Sequence, residues 1–239
     1  MRRVLALLAF GFALTPTARA RACGVSGPDG ASACSLDEHE AASRRMRVGV
    51  SGLYTSTALR FGGGLRGDQT RLAVLASIAY QLPRRVTLQG AAGTAFGGDL
   101  TMPDGVHRFL PGPIAALGVS WRAVDGPPFL VFSSQISFSA ATTQMSGSTD
   151  RPGYEAFDLR AGVLFGTTIF DVLSPYVTGR IFGGPVFWRY QGTAVEGTDV
   201  AHYQLGGGLA VSVAKRVDLF AEGIPAGERA ISAGLSVRF

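Results

Sequence analysis

The twelve residues "RLAVLASIAYQL" (71–82) divide by parity. Leu72, Val74, Ala76, Ile78, Tyr80 and Leu82 fall on one side of an extended chain, and Arg71, Ala73, Leu75, Ser77, Ala79 and Gln81 on the other. Successive side chains of a strand point to opposite faces, so the stretch reads as a β-strand with one apolar face and one small or polar face. The pattern recurs in "VTLQGAAGTAF" (86–96), where Val86 and Leu88 oppose Thr87, Gln89, Ala91 and Gly93. In "FLVFSSQISFSA" (129–140), Leu130, Phe132, Ile136 and Phe138 oppose Ser133, Gln135, Ser137 and Ser139. In "FDLRAGVLF" (157–165), Phe157, Leu159, Ala161, Val163 and Phe165 oppose Asp158, Arg160, Gly162 and Leu164. Period two begins at Met46 and runs to Phe239.

The direction of the two faces follows from composition. Charged residues make up 16% of the chain, and 33 of its 239 residues are glycine; a soluble domain carries about 25% charged residues. Every apolar stretch is broken too early for a membrane helix, which needs roughly 20 apolar residues. Sparse charge without a spanning helix leaves a closed barrel of strands, because backbone polar groups in hydrocarbon must pair within the protein. Arginines standing alone in otherwise uncharged strands then belong on the enclosed face, since a lipid-facing arginine near midplane costs about 2–4 kcal/mol. The fold expected is an all-β, closed, antiparallel up-and-down transmembrane barrel in the outer membrane of a Gram-negative cell.

The runs place about ten strands, near 47–60, 70–82, 86–97, 113–124, 129–142, 156–169, 176–191, 202–214, 216–223 and 230–239, with eight or twelve as alternatives. Gly183, Gly184 and Pro185 interrupt the seventh, marking a bulge or bend. Connections alternate between short ("LPRR", "DGPP", "DVLSP", "AKR") and long polar ones ("GGGLRGDQ", "GDLTMPDGVHRFLP", "QMSGSTDRPGYE", "GTAVEGTDVA"). Short periplasmic turns and long outer loops alternate in this way in bacterial barrels.

Residues 1–22 read as a signal peptide: Arg2 and Arg3, an apolar run from Val4 to Leu14, then A-x-A matches at Ala18–Ala20 and Ala20–Ala22. Cleavage after Ala22 leaves 18 basic and 17 acidic residues, so the basic character resides mostly in the signal and nucleic acid is not implied. Lys215 is the one lysine; arginine elsewhere suits the phosphates of lipid headgroups and lipopolysaccharide. Residues 23–45 read as a periplasmic extension, with a Cys23–Cys34 disulfide closing a turn-rich loop. Arg21 spoils a lipobox, and the cysteine spacing matches no usual zinc site. Ser35 and Glu38 form a capping box opening a short helix. Residues 46–239 form the barrel.

In Ser232, Gly234, Val237 and Phe239 the last strand resembles the terminal recognition strand of bacterial outer-membrane β-barrel proteins. The resemblance implies that the barrel-assembly machinery reads this strand as an insertion address. Ile231, Ala233, Leu235, Val237 and Phe239 then face lipid, with Phe239 in an interfacial aromatic girdle.

The register puts Arg71, Arg122, Asp158, Arg160, Arg180, Arg189, His202, Asp218, Glu222 and Arg238 on the lumen side. Opposite charges across a narrow lumen pair and shut it, or else line a passage for small solutes. The function expected is non-enzymatic, with no cofactor or metal: a narrow passive channel, or a structural surface protein. The alternative is a surface hydrolase built from Asp99, Asp104 and His107 in the second long loop and Asp199 and His202 in the fourth, a carboxylate orienting a histidine that activates water. The ten-strand outer-membrane proteases, the omptins, set an Asp/His pair opposite an Asp pair; "DVAH", with no second aspartate close beside Asp99, departs from that spacing.

Overall fold

The computed structural model describes residues 25–26, 31–32, 45–124, 126–214 and 216–239. The signal segment, Cys23, Cys34 and the capping box at Ser35 lie outside the described residues. Two short strands, β1 (Val25–Ser26) and β2 (Ala31–Ser32), pair with each other. They reach β-strands on both sides of the barrel axis.

The wall follows the parity of the sequence. Ten strands make it: β3 (Met46–Phe61), β4 (Arg66–Leu82), β5 (Val86–Ala95), β8 (Gly112–Val124), β9 (Phe129–Met145), β10 (Gly153–Gly166), β11 (Leu173–Gly183), β14 (Tyr203–Ala214), β15 (Val217–Gly227) and β16 (Arg229–Arg238). Each is antiparallel to its neighbour in this order. The ring closes where β16 pairs with β3, from Arg229 opposite Ser56 to Arg238 opposite Arg47. Phe239 adds a last bond, its N–H donating to the Met46 carbonyl at 2.9 Å. Nine of the ten runs expected from alternation are present with ends within a few residues; the seventh, expected over 176–191, ends at Gly183, and its upper part forms a separate strand, Val186–Tyr190.

Four more strands stand above this wall: β6 (Asp99–Met102), β7 (Gly105–Phe109), β12 (Val186–Tyr190) and β13 (Thr193–Asp199). The hairpin β6–β7 pairs with β4 on one side and β9 on the other. The hairpin β12–β13 pairs with β10 and β3. With the upper parts of β3–β4 and β9–β10 these strands complete a second ring, of eight strands. The β15–β16 hairpin turns at Gly227 and stops below it, so β13 reaches β3 directly at the Leu59–Asp199 pair. Long connections mark the extracellular end of bacterial barrels, so the narrow ring is at the end expected to face outward from the cell.

The second and fourth long connections are thus strands rather than loops. Asp99–Met102, Gly105–Phe109 and Thr193–Asp199 read as loops because each run is only four to seven residues long and has glycine or proline close by. Two glycines make the joints between rings. Gly98 has φ +103°, and a side chain there would meet the Thr70 carbonyl; one at Gly184 would meet the Phe157 carbonyl. Each lets the chain lean onto the neighbouring strand as the circumference narrows.

Polarity inverts between the rings. In the wide ring the outward positions are apolar and exposed: Val50, Val74, Ile78, Leu117, Ile136, Leu159, Ile181, Ile231 and Leu235 among them. In the narrow ring the outward positions include Arg60, Arg66, Asp68, Arg108, Glu155, Arg189 and Glu196, with Val106 and Phe187 among them. Its interior is apolar: Leu59, Phe61, Leu100, Met102, Phe109, Tyr154, Val186 and Trp188 are all at most 5% exposed. The Trp188 Nε1–H donates to Thr143 Oγ1 at 3.0 Å, so this core carries its indole without a loose donor.

Arg189 is a correction. Expected in the lumen, it shares the outward face with Phe187, while Val186 and Trp188 point inward. The break at 183–185 does not change parity: Arg180, Phe182, Val186 and Trp188 all face in. An odd-numbered arginine on this segment therefore faces out, above the apolar belt where water meets it.

The inversion predicts opposite responses to one substitution on β10. Ala161 lies outward between Phe157 and Phe165, within the belt. Ala161→Arg destabilises the barrel by about 2–4 kcal/mol. Glu155→Arg, six residues higher on the same face, changes stability by less than about 0.5 kcal/mol. Denaturant unfolding in lipid vesicles measures both.

Candidate functional site in the lumen

The inward faces of the wide ring bring the sparse charges together in layers. At the periplasmic end, the Arg238 Nη2 meets Asp218 Oδ1 at 2.6 Å, and the Ser212 hydroxyl donates to the same oxygen at 2.6 Å. Arg122 lies over the Phe129 ring, 5.1 Å from its centroid. Higher up, Arg180 holds Glu222 with two parallel bonds of 3.0 and 2.9 Å, and the Tyr176 hydroxyl donates to Glu222 at 3.2 Å. This geometry suits a guanidinium, whose planar fork matches both carboxylate oxygens. Arg160 bridges Asp158 and Glu228, the latter at 3.0 Å, and stacks over Phe182.

Directly under the apolar core of the narrow ring lies a chamber of about 130 Å³. Arg71, Ser139, Gln69, Tyr154, Asp158, Arg160, Thr57, Asp199 and Glu228 line it. Arg71 is nine-tenths buried and donates from Nη1 to the Ser139 hydroxyl at 2.8 Å. The rings of Phe109 and Tyr154 flank its guanidinium at 5.0 and 5.7 Å. The Tyr154 hydroxyl donates to Gln69 at 3.0 Å. Asp199, on the narrow ring, accepts a bond from the Thr57 hydroxyl at 2.9 Å. Burial pushes the Asp199 carboxyl above the usual carboxylate range, and the Thr57 bond offsets part of that. A second space of about 60 Å³ lies beside Arg180, Gln204 and Glu222.

Of the lumen residues expected from register, Arg71, Arg122, Asp158, Arg160, Arg180, Asp218, Glu222 and Arg238 face the interior. His202 is exposed at the rim, opposite Phe182 where β13 passes into β14. Arg47 and Glu228 were not expected at the site, and Asp199 was expected only in the hydrolase alternative. Parity with Gly49 and Ser51 marks Arg47 as inward, whereas Glu228 and Asp199 sit where strands meet turns and carry no such signal. Ser232 is buried, and Ile231, Leu235 and Phe239 are exposed on the outer face.

The acids and histidines of the hydrolase alternative do not converge. His107 is 5% exposed, its Nε2 sits 3.2 Å from Asp104, and Trp188 covers its ring edge-on at 4.9 Å. Asp99 lies on β6 opposite Arg108. Asp199 and His202 belong to the junction of the two rings, one layer lower. Among the described residues no group of three or more histidine, cysteine or acidic side chains is placed to hold a metal.

No family model and no curated protein matches this chain. Solved structures do match. The outer-membrane protease OmpT from Escherichia coli aligns with TM-score 0.51 and 12% identity, over 82% of this chain and 97% of that one. The translocator domain of the autotransporter NalP from Neisseria meningitidis aligns with TM-score 0.46 and 13% identity, over 82% and 88%. The outer-membrane protein OprG from Pseudomonas aeruginosa aligns with TM-score 0.45 and 8% identity, over 82% and 96%. At these identities the likeness extends to the fold. The fold is that of outer-membrane β-barrels, and the apolar belt of the wide ring is this chain's own mark of a wall that meets lipid.

Two outcomes follow from the buried charges. Glu222→Ala leaves Arg180 without its carboxylate and destabilises by about 3–5 kcal/mol; adding Arg180→Met recovers most of that loss, as a double-mutant cycle in vesicle unfolding measures. For Asp199, a carboxyl with a raised folded pKa favours the native state while protonated. Stability is then lost as pH rises from the unfolded value of about 3.9 through the folded one. Asp199→Asn removes this fall, which unfolding midpoints between pH 3 and pH 8 report.

Proposed function

We propose that this chain is a non-enzymatic outer-membrane barrel with a sealed axis, a structural surface protein that raises a rigid, polar-skinned ring above the membrane. The observation that carries this reading is the core of the narrow ring. Eight inward side chains from β3, β6, β7, β10 and β12 fill the axis, each at most 5% exposed. A path for ions needs water or polar groups along its length, and this core offers an apolar stopper. Below it Arg160, Arg180 and Arg238 are each engaged with a carboxylate. The burial of His107 argues against catalysis, since a general base must come within hydrogen-bond reach of the proton it removes. What the ring offers its surroundings is a mixed-charge wall carrying Arg60, Arg66, Asp68, Arg108, Glu155, Arg189 and Glu196.

Planar-bilayer recording tests the reading. The purified full chain is expected to insert without steady conductance, and Phe61→Ala with Trp188→Ala to introduce a small one by hollowing the stopper. Porin-like steps from the unaltered chain, or turnover of peptide or lipopolysaccharide that disappears in His202→Ala, would overturn it.

A further inference from the structure

The chamber beneath the stopper contains two charges that the protein itself leaves without a counter-ion. Arg160, Arg180 and Arg238 each touch a carboxylate. Arg71 does not: among the described residues no carboxylate lies within ion-pair distance of it. Its Nε and Nη2 are buried without hydrogen-bond partners, against the flanking rings. Asp199 is its mirror image. It accepts from Thr57, and no cation lies within ion-pair distance, Arg160 and His202 acting on it from farther away.

An uncompensated charge in a confined, weakly polar space is unfavourable, and a counter-charge placed there is bound correspondingly well. Arg71 calls for an anionic group and Asp199 for a cationic one, and both line the same cavity. A simple anion would satisfy Arg71 while adding negative charge near Asp158, Asp199 and Glu228. A simple cation would leave Arg71 as it is. One molecule bearing both charges answers both.

The volume, about 130 Å³, exceeds the roughly 30 Å³ that a water takes up in the liquid, and it suits a solute of about five or six non-hydrogen atoms. The ladder along β3 changes partner at the junction of the rings. On β3, Thr57 and Ala58 fall between the last partner of β16, at Ser56, and the first partner of β13, at Leu59. The wall there consists of the segment 200–202, held to β3 by the Val200 N–H on the Ala58 carbonyl.

We infer that the chamber is a binding site for a small zwitterion of the α-amino-acid class, its carboxylate at the Arg71 guanidinium and its ammonium at Asp199. The Ser137, Ser139 and Thr55 side chains line the space between strands and offer further polar partners. Entry at this junction would need no axial pore, so the inference stands whether or not the axis conducts.

Isothermal titration of the detergent-solubilised full chain tests this with three probes: glycine, acetate and methylammonium. Glycine is expected to bind saturably and at least about tenfold more tightly than either half-molecule, a difference of about 1.4 kcal/mol or more. Asp199→Asn is expected to erase that advantage while acetate binding is retained. Arg71→Met is expected to lose glycine and acetate together. Should Arg71→Met fail to fold, as heat-shifted electrophoretic mobility would reveal, Arg71→Lys takes its place, with an expected loss of about tenfold for glycine because the fork is gone. No saturable glycine binding, acetate binding as tight as glycine, or wild-type affinity in the variants overturns the inference.

Discussion

Backbone groups that cross hydrocarbon must find every partner inside the protein, and in this chain the ladder between β16 and β3 is what completes the circle. The other features depend on it. Closure creates an inside and an outside, and only then does strand alternation acquire meaning: Ile231 and Leu235 face lipid, while Ser232, Ser236 and Arg238, at positions of the other parity, are enclosed. Without closure the enclosed arginines would face hydrocarbon or open water, and the ion pairs that organise the lumen would have no dry space in which to be strong.

The wide ring was legible because its strands are long and each carries its code several times over. "RLAVLASIAYQL" offers six readings of each face, and β4 follows them throughout: Arg71, Ala73 and Leu75 are buried, and Leu72, Val74 and Ile78 are exposed. The narrow ring was hidden for two physical reasons. Its strands are short, so that "DLTM" and "GVHRF" offer two or three readings each before a turn ends them. Its code is also reversed, since Leu100, Met102 and Trp188 face in where the wide-ring rule sends apolar residues out. Arg189 shows the consequence. An arginine is assigned to the lumen wherever lipid is the alternative, and here the alternative was water.

The lumen expresses the same economy of charge. Its ionic groups are few, and most meet a partner on a different strand, so each contact ties together parts of the wall far apart in sequence. Arg160 and Glu228 are 68 positions apart, Arg180 and Glu222 42. Such ties between strands were predictable in kind from sequence, because opposite charges in a narrow tube have few other places to go. Their identity was not, since it depends on stagger between strands, which period-two reading leaves undetermined. Glu228 could not be assigned a direction at a hairpin turn, yet it is one of the two acids that hold Arg160.

The β15–β16 hairpin ends below the point where β13 meets β3, so one edge of β3 serves two neighbours in succession, β16 along its lower half and β13 along its upper. The molecule thereby has two girths, ten strands and eight, built on a common set of eight columns. Changing girth therefore requires the gain or loss of a single hairpin beside the first barrel strand, and only the two columns that flank it change neighbours. In a barrel of this design, diameter can be inherited as a modular trait, separable from the rest of the wall.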